Sequence, residues 1–283
     1  MTNFQSVSVQ TWTSFNRLHT DTNLKAVNWF LQQQQHNELQ PHNILVDYGC
    51  GTGETASILG GLHLFGPCQY IGLDINLDFI QHATINYRSL NNVMYFWNKH
   101  LEDFKFLQGK VSIVTCFTVL HLLNTVEKNQ VLDFLNSIVE KNGKVLVLHY
   151  LGRTQECFQA YLEVFLQLQR KVYWNPYLKS HHKSEERVEL EKEGRESELI
   201  QTFKKHGFRL VQNQPLRSNL VLNQTNIQMI LNSDRLRHDE FGEAYNRVPA
   251  NERSNLAEDI CALMNQFNIQ NNSHFMMMIF QKM

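Results

Sequence analysis

The sequence has no surplus of positive charge, no paired cysteines and no long apolar run, and each absence removes a class of protein. Lysine and arginine number 26 against 27 aspartates and glutamates in 283 residues, so no basic field is available to condense on a phosphate backbone. A nucleic-acid partner is therefore not expected. The five cysteines, Cys50, Cys68, Cys116, Cys157 and Cys261, are scattered, without a C-x-x-C pair or a histidine at metal-ligand spacing. They read as small buried hydrophobes of a reducing compartment, and no metal is expected. No stretch approaches the length needed to cross a bilayer, and Met1 to Ser6 lacks a basic region followed by an apolar run. The expectation is a cytoplasmic monomer with no membrane partner.

What is present from Asn43 onward is an alternation of short apolar runs with helical stretches, the pattern of a parallel sheet covered on both faces. Strands are predicted at about 43–48, 69–74, 92–97, 111–117 and 143–150, with helices at about 53–61, 76–89 and 126–140. Asn142-Gly143 reads as a helix stop. A polar helix at about 195–206, a strand over Phe208–Val211 and a last strand over His274–Phe280 complete the pattern. The fold class is α/β: a Rossmann-like, seven-stranded, mostly parallel, doubly wound sheet.

Two stretches, at about 152–194 and 223–272, fall outside this alternation and read as cap insertions near the ligand edge of the sheet. A helix at about 21–35 precedes the first strand, with Gln32 to Gln35 as its solvated end. It reads equally as a lid over a site or as plain packing. The charged run Ser184–Glu193 reads as a solvated helix or loop. His181 and His182 are adjacent and point apart, so they read as surface residues.

The chemistry-bearing segment is Ile44-Leu45-Val46-Asp47-Tyr48-Gly49-Cys50-Gly51-Thr52-Gly53-Glu54. An apolar strand runs into glycines that let backbone amides approach a ligand with no Cβ in the way, and a helix follows. A dinucleotide pyrophosphate could use such a loop, but the G-x-G-x-G spacing and the preceding Asp47 argue otherwise. An anion there repels a pyrophosphate and suits S-adenosyl-L-methionine, which carries an amino group and a sulfonium but no phosphate. The next strand ends at Asp74, about twenty residues past the loop, where two carboxylate oxygens can take both ribose hydroxyls. Asp74 could instead cap the following helix, a role Asn76 could also serve. After the third strand the candidates beside the adenine are Asn98, His100, Glu102 and Asp103. Phe117 and Thr118, after the fourth strand, pass beneath the methyl group. His121 is the one candidate general base, although a histidine in an apolar turn also packs with a nitrogen on backbone.

These residues resemble the class I S-adenosylmethionine-dependent methyltransferase superfamily over about Asn43 to Leu151. The resemblance implies a cofactor set of Asp47, Gly49, Cys50, Gly51, Gly53, Asp74, Ile75, His100, Leu101, Glu102 and Phe117. It also implies residues 1–42 as an N-terminal helical lid and 43–283 as the methyltransferase domain. Ser14-Phe15-x-Arg17, Asn92-Val93, Trp97-x-Lys99 and Asn271-Asn272-Ser273 are similar to histamine N-methyltransferase-like small-molecule enzymes. That likeness implies acceptor contacts at Asn23, Thr118 and Asn272, where the family has a glutamate, a glutamine and an asparagine. Only the asparagine is kept.

Aromatic residues concentrate in the variable segments: Trp12 and Phe15, then Tyr161, Phe165, Tyr173, Trp174 and Tyr177, then Phe241 and Tyr245. They read either as an acceptor pocket or as the core of the cap. The acceptor set is Phe15, Asn23, Thr118, His121, Tyr173, Trp174 and Asn272. Asn175-Pro176-Tyr177 lies in an insertion and not after the fourth strand, so it is not a nucleic-acid or protein N-methylation signature. Three functions follow: a small-molecule amine N-methyltransferase, a carboxylate O-methyltransferase, and a non-catalytic cofactor-binding module. Methyl transfer from a sulfonium needs alignment more than a dedicated base.

Overall fold

Most strands split their side chains between two hydrophobic clusters, so neighbouring residues pack on opposite faces of one sheet. The computed structural model describes residues 7–33, 42–61, 68–153, 155–178, 185–220, 222–241, 243–269 and 271–283. The strands are β1 (Ile44–Tyr48), β2 (Gln69–Asp74), β3 (Val93–Trp97), β4 (Val111–Phe117), β5 (Val139–Arg153), β6 (Phe208–Leu220) and β7 (Asn271–Lys282). Their order is β3-β2-β1-β4-β5-β7-β6. β1 to β5 pair in parallel, and β7 runs against both of its neighbours. This is the seven-stranded α/β sheet read from the sequence.

The helices are α1 (Val9–Leu18), α2 (Thr20–Gln33), α3 (Glu54–Gly61), α4 (Leu77–Asn86), α5 (Thr125–Ile138), α6 (Gln155–Arg170), α7 (Glu185–Lys205), α8 (Gln224–Asn232), α9 (Asp234–Phe241) and α10 (Arg253–Gln266). Polar caps set several starts. Ser8 accepts from Thr11 N–H at α1 and Asn76 from Asp78 and Phe79 N–H at α4, while Asn124 and Glu127 form a capping box at α5. Leu45, Tyr70, Ile113, Leu146 and Leu148 join α2 residues Ala26, Trp29 and Phe30 in one cluster. Val46, Ile71, Val114, Val145 and Val147 join Leu132 and Leu135 of α5 and Phe203 of α7 in the other. Alternation of this kind follows from the two-residue period of a strand.

Three boundaries differ from the sequence reading. α5 stops at Ile138, and β5 begins at once, so Asn142-Gly143 lies within a strand. Asn142 takes φ +68°, and a Cβ on Gly143 would stand 2.7 Å from Val139 Cγ1; the pair makes a bulge and is no helix stop. β6 reaches Leu220, well past Val211. It is an edge strand bonded only to β7, where Pro215 removes no needed donor and polar residues mask the strand pattern. The N-terminal segment is two helices, α1 and α2, where one was expected. Gln34 and Gln35, His181 and His182 lie outside the described residues, and Glu185 to Glu193 form the first half of α7.

The two insertions share a third hydrophobic cluster. Val164, Phe165 and Leu168 of α6 and the following Trp174 and Leu178 pack on Ile227 and Leu231 of α8 and Leu256, Ala257 and Ile260 of α10. Among the described residues no helix is long and apolar enough to cross a membrane.

Candidate cofactor and acceptor site

The carboxyl ends of β1, β2 and β4 meet beneath α1, and between them lies a cavity whose wall holds Asp47, Glu54, Asp74 and Glu127 and, among the described residues, no lysine, arginine or histidine. Parallel strands bring their loops to this one edge, which is why binding residues far apart in sequence collect here. The sign of the wall matters more than any single contact. Four carboxylates without a cation favour a positively charged ligand and oppose a pyrophosphate.

The glycine loop leaves β1 and folds back on β2. Gly49 N–H donates to Leu73 O at 2.7 Å and Gly51 N–H to Asp74 Oδ2 at 2.9 Å. Gly51 has φ +55°, and a Cβ there would stand 2.9 Å from Trp12 Nε1; the conformation and the approach of α1 both call for glycine. Asn16, one turn further along α1, donates from Nδ2 to Glu54 Oε2 at 3.1 Å, and the Trp12 ring stacks on Phe79 at 5.6 Å. α1 therefore covers the loop, through two residues spaced to share a helix face.

Asp74 is 9% exposed and also accepts Asn76 N–H at 2.8 Å. The α4 cap belongs to Asn76, which leaves Asp74 with lone pairs toward the cavity. Burial pushes its carboxyl up to about 6, against backbone hydrogen bonds from Asn76, Gly51 and Ile75. Asp47 is 1% exposed and is held by the Tyr70 hydroxyl at 2.7 Å and the Thr115 hydroxyl at 2.6 Å. Burial raises its carboxyl as well, and those hydroxyls oppose the rise.

Asn98 follows β3, is 4% exposed and lines the cavity; its Oδ1 has no hydrogen-bond partner among the described residues. The other adenine-side candidates lie outward. His100 and Glu102 are exposed, 3.8 Å from each other, and Asp103 is exposed too. They begin a 3-10 turn, Leu101–Leu107, that turns only Leu101 to the cavity. Past β4, Thr118 lines the wall with φ +56°. That conformation is costly for a β-branched residue, roughly 1–3 kcal/mol. Its N–H is held by Leu148 O at 2.8 Å.

Of the sequence-derived cofactor set, Asp47, Gly49, Cys50, Gly51, Asp74, Ile75, Leu101 and Phe117 come together on the wall. Gly53 turns into α3 against Tyr87 and Tyr95, off the wall. Of the acceptor set, Asn23 and Thr118 line the cavity, and Asn23 Oδ1 has no hydrogen-bond partner among the described residues. Phe15 stands just behind, in a train of rings. It runs from Trp12 through Phe15, His19, Phe275, Tyr150 and His121 to His149, with centroids 4.9 to 6.2 Å apart. His121 thus sits in a 3-10 turn, Leu120–Leu122, among rings. Trp174 is 1% exposed in the cap cluster, with Nε1 donating to Asp259 at 2.5 Å, and Tyr173 donates to Glu252 on the surface. Asn272 starts β7 opposite Asn219, and its side chain lies outside those described.

Sequence reasoning missed Asn16, Tyr48, Glu54, Thr55, Phe79, Glu127 and Gln130 on the wall. Two signals were available: Trp12 and Asn16 at i, i+4, and Asn124-x-x-Glu127 as a capping box.

The chain matches the model of the methyltransferase domain family over residues 22–213. No curated protein matches it in sequence. Its fold is similar to a chain in the complex between the Haloferax volcanii Trm112 methyltransferase activator and a provisionally named methyltransferase. The TM-score there is 0.50 at 13% identity, over 98% of this chain and 99% of that one. A provisionally named methyltransferase of Bacillus halodurans C-125 gives 0.50 at 14% identity over 89% and 97%. The MccD protein gives 0.50 at 12% identity over 91% and 96%. At these identities the likeness is one of fold.

Proposed function

The chain belongs to the methyltransferase domain family and is an S-adenosylmethionine-dependent enzyme; from that premise we propose that its acceptor is a small molecule methylated on an amine nitrogen. The observation that carries this reading is the sign of the cavity wall: four carboxylates and, among the described residues, no cationic side chain. An amine suits that field in either protonation state. A carboxylate acceptor would enter against it with nothing to pair with.

The donor fits the same wall. A buried carboxylate with no cation at Asp47, an unpartnered carbonyl at Asn98 and a glycine cradle that a Cβ would fill match a cationic, phosphate-free nucleoside. In this reading Asp47 takes the α-amino group, Asp74 takes the ribose hydroxyls and Asn98 Oδ1 accepts from the exocyclic amine of adenine. Ile75 and Val119 supply apolar contact to the base. When bound, S-adenosylmethionine supplies a methyl group on a sulfonium, a leaving group that needs no acid.

What remains for the protein is alignment and exclusion of water. Phe117 and Thr118 floor the space beside the sulfonium, and α1 closes it from above through Trp12 and Asn16. In this reading Asn23 Oδ1 accepts an N–H of the acceptor, leaving the nitrogen lone pair to be aimed at the methyl group. His121, in ring contact with Tyr150, lies off the wall, and the proton released by the product amine can pass to solvent without it.

The test is release of S-adenosylhomocysteine across a panel of small amines and small carboxylates. Turnover is expected with amines alone. Turnover only with carboxylates, or only with macromolecules, would refute the proposal.

A further inference from the structure

Asp47 is an acid that the fold holds by both oxygens, from two different strands. β1 lies between β2 and β4, with Asp47 opposite Gly72 on one side and Thr115 on the other. The two-residue period puts Leu45, Asp47, Tyr70, Gly72, Ile113 and Thr115 on one face of the sheet. Thr115 reaches across to Oδ1 at 2.6 Å. Tyr70, paired with Leu45, runs its ring along the strand to reach Oδ2 at 2.7 Å. Both oxygens are thereby fixed, and the carboxyl plane cannot turn.

Both donors are hydroxyls, and the Thr55 side chain at the start of α3 adds a further, weaker hydrogen bond to Asp47. A carboxylate accepts all of these bonds at once, and each bond made to the charged form favours it over the neutral acid. No neighbouring charge does this work: the ionisable groups facing Asp47 are Glu54 at the start of α3, Cys50 in the loop, Asp74 ending β2, Tyr95 on β3 and Cys116 on β4. All are acids, and among the described residues no lysine or arginine is bonded to Asp47. Burial alone pushes such a group toward its neutral form.

We propose that Tyr70 and Thr115 are positioning residues, which hold Asp47 as an oriented carboxylate so that it can take the amino end of the methyl donor. The proposal rests on the reading of Asp47 as the ligand of that amino group. The two hydroxyls never touch the donor. They act by keeping the acid charged and its remaining lone pairs aimed into the cavity, in the range where the donor's amine is protonated. In this way a buried site binds a cation without presenting a second charge to an amine acceptor.

The experiment is calorimetry of S-adenosylmethionine binding to the full chain from about pH 5.5 to about pH 7.5. The proteins are the wild type, Tyr70→Phe, Thr115→Val, Thr115→Ser and Asp47→Asn. Tyr70→Phe and Thr115→Val keep ring and volume while removing one donor each. The expected result is that the pH at which affinity is half lost moves up by about one unit in both, so that Kd rises roughly tenfold near the acid end and by under about threefold near the alkaline end. Thr115→Ser, which keeps the hydroxyl, should restore the wild-type profile, and the Asp74 contribution is common to all five. An unmoved profile, or a loss equal at every pH, would overturn the positioning role while leaving Asp47 as a ligand. Wild-type binding by Asp47→Asn would overturn the ligand reading and this proposal together. If Tyr70→Phe does not fold, the Thr115 pair decides alone.

Discussion

Replacing Asp74 by asparagine should make the empty protein more stable and a poor binder of its donor. Burial raises the Asp74 carboxyl from 3.8 to about 6. A raised acid binds its proton more tightly folded than unfolded, so stability falls as pH rises from about 4 to about 6, and the penalty is fully present above that. Two pH units correspond to roughly 3 kcal/mol. The substituted amide would still accept one of the two backbone N–H bonds now taken by Asp74, from Gly51 and Asn76. The other would be lost, at about 1–2 kcal/mol. The net gain is then about 1–2 kcal/mol near neutral pH, a rise in Tm of roughly 2–8 °C for a chain of this size. Binding moves the other way. Ribose hydroxyls donated to a carboxylate are worth about 1.5–3 kcal/mol each against about 1 kcal/mol to a neutral acceptor, so Kd should rise on the order of tenfold to a thousandfold. Thermal unfolding with and without S-adenosylmethionine, near pH 7.5 and near pH 4, separates the two effects. The gain should vanish at the acid end, where wild-type Asp74 is protonated. Destabilisation at the neutral end, or a gain equal at both, would refute the burial argument. Unchanged affinity would refute the ribose assignment.

Two further outcomes follow from the same wall. Gly51→Ala forces a side chain into φ +55° and to within 2.9 Å of Trp12 Nε1, so α1 must lift. Stability should drop by about 1–2 kcal/mol, and donor affinity should fall more than stability does, as read by denaturant unfolding and calorimetry. Asn98→Ala should weaken S-adenosylhomocysteine by roughly tenfold while leaving its inosine analogue nearly unchanged, because only adenine offers the exocyclic amine; equal losses for both ligands would show that Asn98 does not read the base.

The parts of the fold legible in the sequence are those coded over a few contiguous residues. The first four strands fall within a residue of where the apolar runs put them: β1, β2 and β4 are buried and so apolar on both faces, while β3 carries the same apolar residues at the sheet edge. β6 was mostly hidden, since an edge strand bonded on one side tolerates Pro215 and polar neighbours. The bulge at Asn142-Gly143 looked like a helix end because both uses of such a pair rest on the same left-handed backbone. In the site, the loop and Asp74 were readable, since their spacing is local. His100 and Glu102 were placed near the adenine by position along the chain, yet the 3-10 turn at Leu101 points them to solvent. Trp174 looked like an acceptor contact and instead fills the cap.

Sequence by itself determined the fold class, the glycine loop after β1 and the acid at the end of β2. Glycine spacing, strand period and a carboxylate about twenty residues on are short-range facts that no tertiary contact can alter. Only the tertiary structure decided what surrounds them: that α1 and not the cap aromatics closes over Gly51, that Asn98 is the buried carbonyl, and that the wall carries four acids and no base. The chain as a whole is nearly neutral, with 26 positive and 27 negative side chains, and its composition therefore says nothing of that local field. A field belongs to the groups that folding brings together, and these come from β1, β2, α3 and α5, which are neighbours only because the sheet order places them so.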